Sequence, residues 1–203
     1  MVRIAVVAVA LSVTVMILAL AVIMGFKREI TDRVTGFSAQ VEVADLRSAG
    51  SIESVPVLRS EQLERTIRSA GEVVRLTPYA VKGGVVKMPD AILGVMLKGV
   101  DGGYEWSFFR DHLLEGELPR VGDSIRTKEI LISRSVAQEM GLAPGDKVEM
   151  LFVESEKSPR RDRFKVSGIY ATGMDEFDRS VAMTDLRNVQ RLADWSSDEV
   201  SGY

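Results

Sequence analysis

Residues 4–26 (IAVVAVALSVTVMILALAVIMGF) carry no charge, and Ser12 and Thr14 are their only clearly polar side chains. A bilayer core of ~30 Å is crossed by about 20 apolar residues in a helix, so this run is long enough to span it. Its first half is rich in Val and Ala and its second in Leu, Ile and Met, without the alternation of a half-buried strand. A cleaved signal peptide is the second reading, because Ala19-Leu20-Ala21 supplies a cleavage-type site. Against it, only Arg3 and the terminus precede the run, which exceeds the roughly 7–15 residues of a signal core. A buried helix of a soluble protein would keep a polar face over such a length. The pattern predicts a body tethered by an N-terminal membrane span.

Beyond the span, Phe26, Ile30, Val34 and Phe37 recur at helical spacing, with Lys27, Arg28, Glu29, Asp32 and Arg33 on the other faces. This predicts that the helix continues as an amphipathic segment capped near Gly36, either a short linker or a stalk that carries motion. The divisions expected are 1–26 for the span, 27–38 for the stalk and 39–203 for the body.

Within the body, 39–43 alternates like a strand, 47–56 reads as a Ser- and Gly-containing loop, and Ser60 opens a helix to Ala70. Residues 72–79, 80–87 and 91–100 read as strands, interrupted by Gly83-Gly84 and Pro89-Asp90. Residues 104–114 show the helical spacing of Trp106, Phe109 and Leu113. A strand at 129–133, a two-turn helix at 134–140 ended by Gly141, a turn at 142–146 and a hairpin of 147–153 with 163–170 follow. A short strand at 181–183, a helix from Thr184 to Ala193 and a strand at 199–203 complete the order. That last strand meets the end of the chain, so we expect more of the protein to follow it. The fold class expected is α+β: an N-terminal transmembrane helix with stalk, then a domain of mixed sheets and short helices.

Net charge is −3, which provides no general basic field for nucleic acid. There is no cysteine, which excludes disulfides and Cys-based metal sites. Basic residues flank the span on both sides, so the charge count does not orient it. Catalytic signatures are lacking too. No G-x-x-x-x-G-K-[ST] phosphate loop and no G-x-S-x-G elbow occurs, so no enzymatic activity and no cofactor is expected. His112 stands alone, and Asp175, Glu176 and Asp178 lack the oxygen-ligand spacing of a calcium loop, which leaves a solvated acidic turn.

The run Ser158-Pro159-Arg160-Arg161-Asp162-Arg163, with Lys157 before it, falls where the hairpin tip is expected. Such a run is either a solvated loop or an electrostatic docking prong for an acidic partner.

Several segments together resemble a known family. Val22-Ile23-Met24-Gly25-Phe26 followed by Lys27-Arg28-Glu29 is similar to the end of the first span of LolC/LolE-type lipoprotein-releasing permeases, with Met24 where the family has Asn. Gly141-Leu142-Ala143-Pro144-Gly145-Asp146-Lys147-Val148 resembles their helix, turn and strand. The segment 166–178 (VSGIYATGMDEFD) matches their V-x-G-I-[FY]-x-T-G-M-x-E-[FY]-D block, with Val189-Gln190-Arg191-Leu192 downstream. The match over 46–118 is in outline only.

The resemblance implies a MacB-like periplasmic domain on the first of four spans in the bacterial inner membrane. Its implied partners are a second permease subunit, a cytoplasmic ABC ATPase, lipoprotein cargo and a periplasmic lipoprotein carrier. It further implies that Ile23, Met24, Phe26 and Ile30 face lipid or cargo, and that Lys157, Ser158, Pro159, Arg160, Arg161 and Arg163 form a carrier-docking loop. The alternatives are a MacB- or FtsX-like permease for another substrate or signal, and a membrane-anchored binding domain without an ATPase.

Overall fold

The apolar run and the charged turns after it form one helix, α1 (Val2–Phe37), in a computed structural model that describes residues 2–37, 39–48, 54–88, 91–122, 125–154 and 157–203. The Ser12 hydroxyl donates to the Ala8 carbonyl at 2.9 Å and that of Thr14 to Ala10 at 2.8 Å. Both polar side chains are thus satisfied within the helix, as a segment surrounded by hydrocarbon requires. Val2–Arg28 is long and apolar enough to cross a membrane, and none of it is buried. A helix apolar on every face and unburied by protein is suited to lipid as its solvent. α1 belongs to one compact unit, Met1–Val41, and the remainder, Glu42–Tyr203, forms a second with its own core.

The second unit contains, in order, β1 (Val57–Leu58), α2 (Glu61–Ser69), β2 (Tyr79–Lys87), β3 (Ile92–Val100), α3 (Ser107–Asp111), β4 (Leu113–Gly116) and β5 (Glu129–Ser133). Then come α4 (Arg134–Met140), β6 (Lys147–Glu154), β7 (Lys157–Tyr170), α5 (Asp175–Asp178), β8 (Val181–Asp185), α6 (Leu186–Leu192) and β9 (Glu199–Val200). The main sheet runs β4-β7-β5-β8-β3-β2-β6, and β6 also pairs with β7. That extra ladder joins the two ends, so β7, β5, β8, β3, β2 and β6 close into a ring with β4 attached at β7. The closure is partial, because residues 157–164 of β7 pair with β6 alone. The sheet is mixed, with β3–β8 and β5–β7 parallel and the other neighbours antiparallel.

The fold class is α+β, as the pattern predicts. Val148, Met150 and Phe152 of β6 and Phe164 and Val166 of β7 are buried at alternate positions, the period of a strand with one inward face. With Leu97, Ile130, Ile132 and Val86 they form the core on which α4 (Val136, Ala137, Met140) and α6 (Leu186, Val189, Leu192) pack. Fully burying one such side chain contributes about 1.5–3 kcal/mol. α4 is bounded as its sequence suggests: the Ser133 hydroxyl accepts from Val136 N–H at 3.1 Å, and Gly141 ends it in the left-handed region (φ 63°).

Several expectations are corrected. β2 passes through Gly83-Gly84 without a break, because a Cβ at Gly84 would lie 2.6 Å from the Phe152 ring. The glycine makes room for an aromatic side chain and does not mark a turn. Residues 72–78 form no strand, and the helix expected over 104–114 is only α3, followed by strand β4. The hydroxyl of Thr184 donates to the Glu129 carbonyl at 2.7 Å, and Asp185 caps α6, accepting from Arg187 N–H at 2.9 Å.

In place of a strand over 39–43 the structure has a single bridge, Ala44 to Gly202. Val43 and Tyr203 exchange both N–H···O bonds at 2.9 Å. The same terminal segment pairs with Tyr79, whose N–H donates to the Gly202 carbonyl at 3.0 Å and whose carbonyl accepts from Ser201 at 2.9 Å. The segment that enters the domain and residues 201–203 are thereby clamped together at the start of β2.

Candidate interaction face on the long hairpin

The run expected to form a loop is largely strand. β6 reaches Glu154 and β7 begins at Lys157, with Glu154 opposite Lys157, so only residues 155 and 156 separate the strands. Arg160, Arg161 and Arg163 therefore lie along β7, not at its tip. Their cross-strand neighbours are Phe152, Leu151 and Glu149. Pro159, exposed, sits where the ladder shifts register between Phe152 and Glu154, which suits a residue with no N–H to donate. The side chains of Lys157, Ser158 and Ile30, with those of Val34, Phe37 and Glu176, lie outside the described residues.

Strand alternation divides the arginines between two faces. Arg160 shares the face of Asp162 and Phe164, and its guanidinium reaches the segment after α6. It bonds Asp194 Oδ2 at 2.5 Å and the Arg191 carbonyl at 3.2 Å. Arg161 and Arg163 point the other way, where both approach Glu149 at 3.6 and 3.5 Å. Both are exposed, and ion pairs of this kind contribute about 0–1 kcal/mol. The outward face consequently offers guanidinium donors at little cost.

Asp162, between them, is buried. It accepts from Lys128 Nζ at 2.5 Å, from Arg163 N–H at 2.9 Å and from Arg191. Burial pushes its carboxyl pKa up, but the bonds to Lys128 and Arg163 N–H and the charge of Arg191 outweigh that and hold it below the usual value. It joins β7 to β5 and α6, and its role is to hold the hairpin.

A second carboxylate belongs to the 166–178 block. Asp178 is buried and accepts from the Thr172 hydroxyl at 2.8 Å and from the N–H groups of Thr172 and Gly173 at 3.1 Å. Its own carbonyl accepts from the Ser133 hydroxyl. The acidic turn is therefore a loop closed on Asp178. Among the described residues no group of three or more His, Asp or Glu side chains could hold a metal. His112 donates from Nδ1 to the Phe108 carbonyl at 2.8 Å and stacks on the Phe108 ring, 4.4 Å between centroids, which is a packing role. Ile23, Met24 and Phe26 are all well exposed on α1, as are the other large apolar side chains between Val2 and Phe26.

The apolar helix leading into a mixed sheet with short helices defines the class. The chain belongs to the family described as MacB-like periplasmic core domain, whose model matches residues 4–201. Among individual proteins it is similar to the lipoprotein-releasing system transmembrane protein LolC of Xylella fastidiosa (strain Temecula1), 28% identical over 193 residues, covering 91% of this chain and 44% of the relative. It is 26% identical over 192 residues to LolC of Neisseria meningitidis serogroup B, and 21% over 208 residues to LolE of Haemophilus influenzae. The chain spans 44–47% of the length of these curated relatives. A crystal structure of the extracellular domain of the noncanonic ABC-type transporter YknZ from Gram-positive bacteria superposes with a TM-score of 0.48 at 15% identity, covering 76% of this chain and 73% of that one.

Proposed function

We propose that this chain is the first span and extracytoplasmic domain of a non-catalytic permease subunit of a lipoprotein-releasing ABC transporter. The observation that carries the reading is the similarity to LolC over 91% of the chain, span and domain together. On this reading the protein sits in a bacterial inner membrane with its domain in the periplasm. It works with a second permease subunit and a cytoplasmic ATPase, and passes lipoprotein to a periplasmic carrier. The chain alone is expected to hydrolyse no ATP, as it carries no phosphate loop. The MacB-like family match equally suits a permease of the same architecture for another substrate or signal.

Ile23, Phe26 and Ile30 fall at i, i+3 and i+7 of α1, one helical face, and with Met24 they are the residues assigned to lipid or cargo contact. Photo-crosslinkers at these positions in cells should capture lipoprotein more than crosslinkers at Ala19 or Leu20. Equal capture all round the helix would leave only ordinary lipid contact. The carrier is assigned to residues 157–163, through the outward guanidinium groups of Arg161 and Arg163, with Arg160 placing the ribbon. Arg161→Ala with Arg163→Ala should weaken carrier binding while the domain stays folded. Unchanged affinity in a titration would reduce this face to a solvated strand.

A further inference from the structure

At the base of the same ribbon lies a feature that the carrier reading does not use. A groove of about 340 Å³ is walled by Arg120, Lys128, Glu129, Lys147, Arg163 and Lys165. A smaller hollow of about 200 Å³ continues it, sharing Arg120, Glu129 and Lys165 and adding Gly116, Glu117, Gly145 and Ser167. Some of these cations are matched locally. Arg120 bonds Glu129 through Nη2 at 2.7 Å, and Lys128 bonds Asp162 at 2.5 Å.

Lys147 and Lys165 are arranged differently. They are directly opposite each other on the antiparallel β6–β7 ladder, and both line the groove. Side chains so placed start about 5 Å apart, and like charges there are unfavourable. The nearest carboxylates in register are shared. Glu129, beside Lys165 on β5, feels the charge of Lys165 but is hydrogen-bonded to Arg120, and Glu149, two positions along β6, is approached by Arg161 and Arg163. The chain as a whole has a net charge of −3, so this positive surface is local and does not reflect composition.

We propose that this groove binds an acidic polypeptide segment, whose carboxylates take Lys147 and Lys165 while its main chain lies along the glycine-lined hollow. One feature favours a peptide over a single phosphate. The groove continues into the hollow, whose small residues and apolar Leu118 and Val166 suit a backbone with side chains, while Glu117 and Glu129 there confine the segment's carboxylates to the Lys147 and Lys165 end. The site stands independently of the carrier assignment and shares only Arg163 with it.

The test is fluorescence anisotropy of rhodamine-labelled hexaglutamate with the full chain in uncharged detergent at low ionic strength. Lys147→Gln with Lys165→Gln should weaken binding about tenfold or more, the loss expected for removing charge-assisted contacts. Lys87→Gln, exposed at the end of β2, should leave binding unchanged. Because the double variant relieves a repulsion, its thermal midpoint should stay the same or rise. If it does not fold, the Lys147→Gln single variant should show the same direction of loss. Undiminished binding in the folded variant overturns the proposal. Full displacement of the peptide by millimolar inorganic phosphate would assign the groove to a small anion instead.

Discussion

The two halves of β7, with the loop that follows, divide the domain's work between them. From residue 166 to 178 almost every side chain is committed. Val166, Ile169 and Tyr170 are buried, the Tyr170 hydroxyl donates to the Val181 carbonyl at 2.9 Å, and Asp178 gathers Thr172 and Gly173. Gly168 admits the backbone of the strand beside it, since a Cβ there would lie 2.6 Å from the Glu117 carbonyl oxygen. From 159 to 165 Asp162 and Phe164 are buried, whereas Arg161, Arg163 and Lys165 are exposed. The segment that most closely matches a family pattern is thus the one that builds the fold. The groups able to meet a partner sit on the half whose outward residues the fold does not prescribe.

The strongest challenge to this contrast is Gly168→Ala. The new methyl group must displace backbone, so a loss of about 3 kcal/mol in urea unfolding is expected. Asp178→Ala should follow at about 2 kcal/mol, because it leaves buried N–H groups and a hydroxyl without their acceptor. Asp162→Asn should cost about 1 kcal/mol near neutral pH, as Lys128 and Arg191 are half exposed and regain water.

Asp162 also sets a pH dependence. Its folded-state pKa is depressed, so its contribution is present above the unfolded value of about 3.9 and is lost as pH falls through the folded value. Asp185 and Glu129 shift in the same direction. Thermal midpoints should therefore decline below about pH 4, and less steeply in Asp162→Asn. Arg160→Ala should lose about 0.5–1 kcal/mol with its bond to Asp194, and Arg161→Ala less than about 0.5. An Arg161→Ala variant as unstable as Asp178→Ala would erase the distinction between the halves.

Local pattern made much of this legible. The apolar run of α1, strand β3 and the unit from β5 through α4 to β6 carry periodicity and capping residues within a few positions of one another. The β7 arginines misled because three charged residues and a proline surround Asp162, an inward position filled by a carboxylate. The period of two was hidden where an apolar side chain would have displayed it. β4 escapes a local reading for a related reason: Leu113 and Leu114 continue the spacing of α3, and only the pairing of Leu113 with distant Tyr170 and of Gly116 with Gly168 makes the segment strand. The ring's closure is a long-range property that no window of the sequence contains. Lys147 and Lys165 come opposite each other only through the one-residue register shift between Phe152 and Glu154, which an even hairpin pattern does not reveal.

The bridge between residues 43–44 and 202–203 also has a mechanical meaning. Because the two segments are antiparallel, the N-terminal side of Val43 and the C-terminal side of Tyr203 face the same end of the pair. Forces that spread these ends apart meet the hydrogen bonds one after another, as in peeling, and part them at low load. A force drawing both ends together in one direction leaves that pair intact and transfers to Tyr79. It then enters β2, where the long ladder with β3 is stressed in shear, many bonds at once. The clamp is weak against splaying and stiff against common traction, so the direction of a pull decides whether the domain is tugged whole or unfastened at its root.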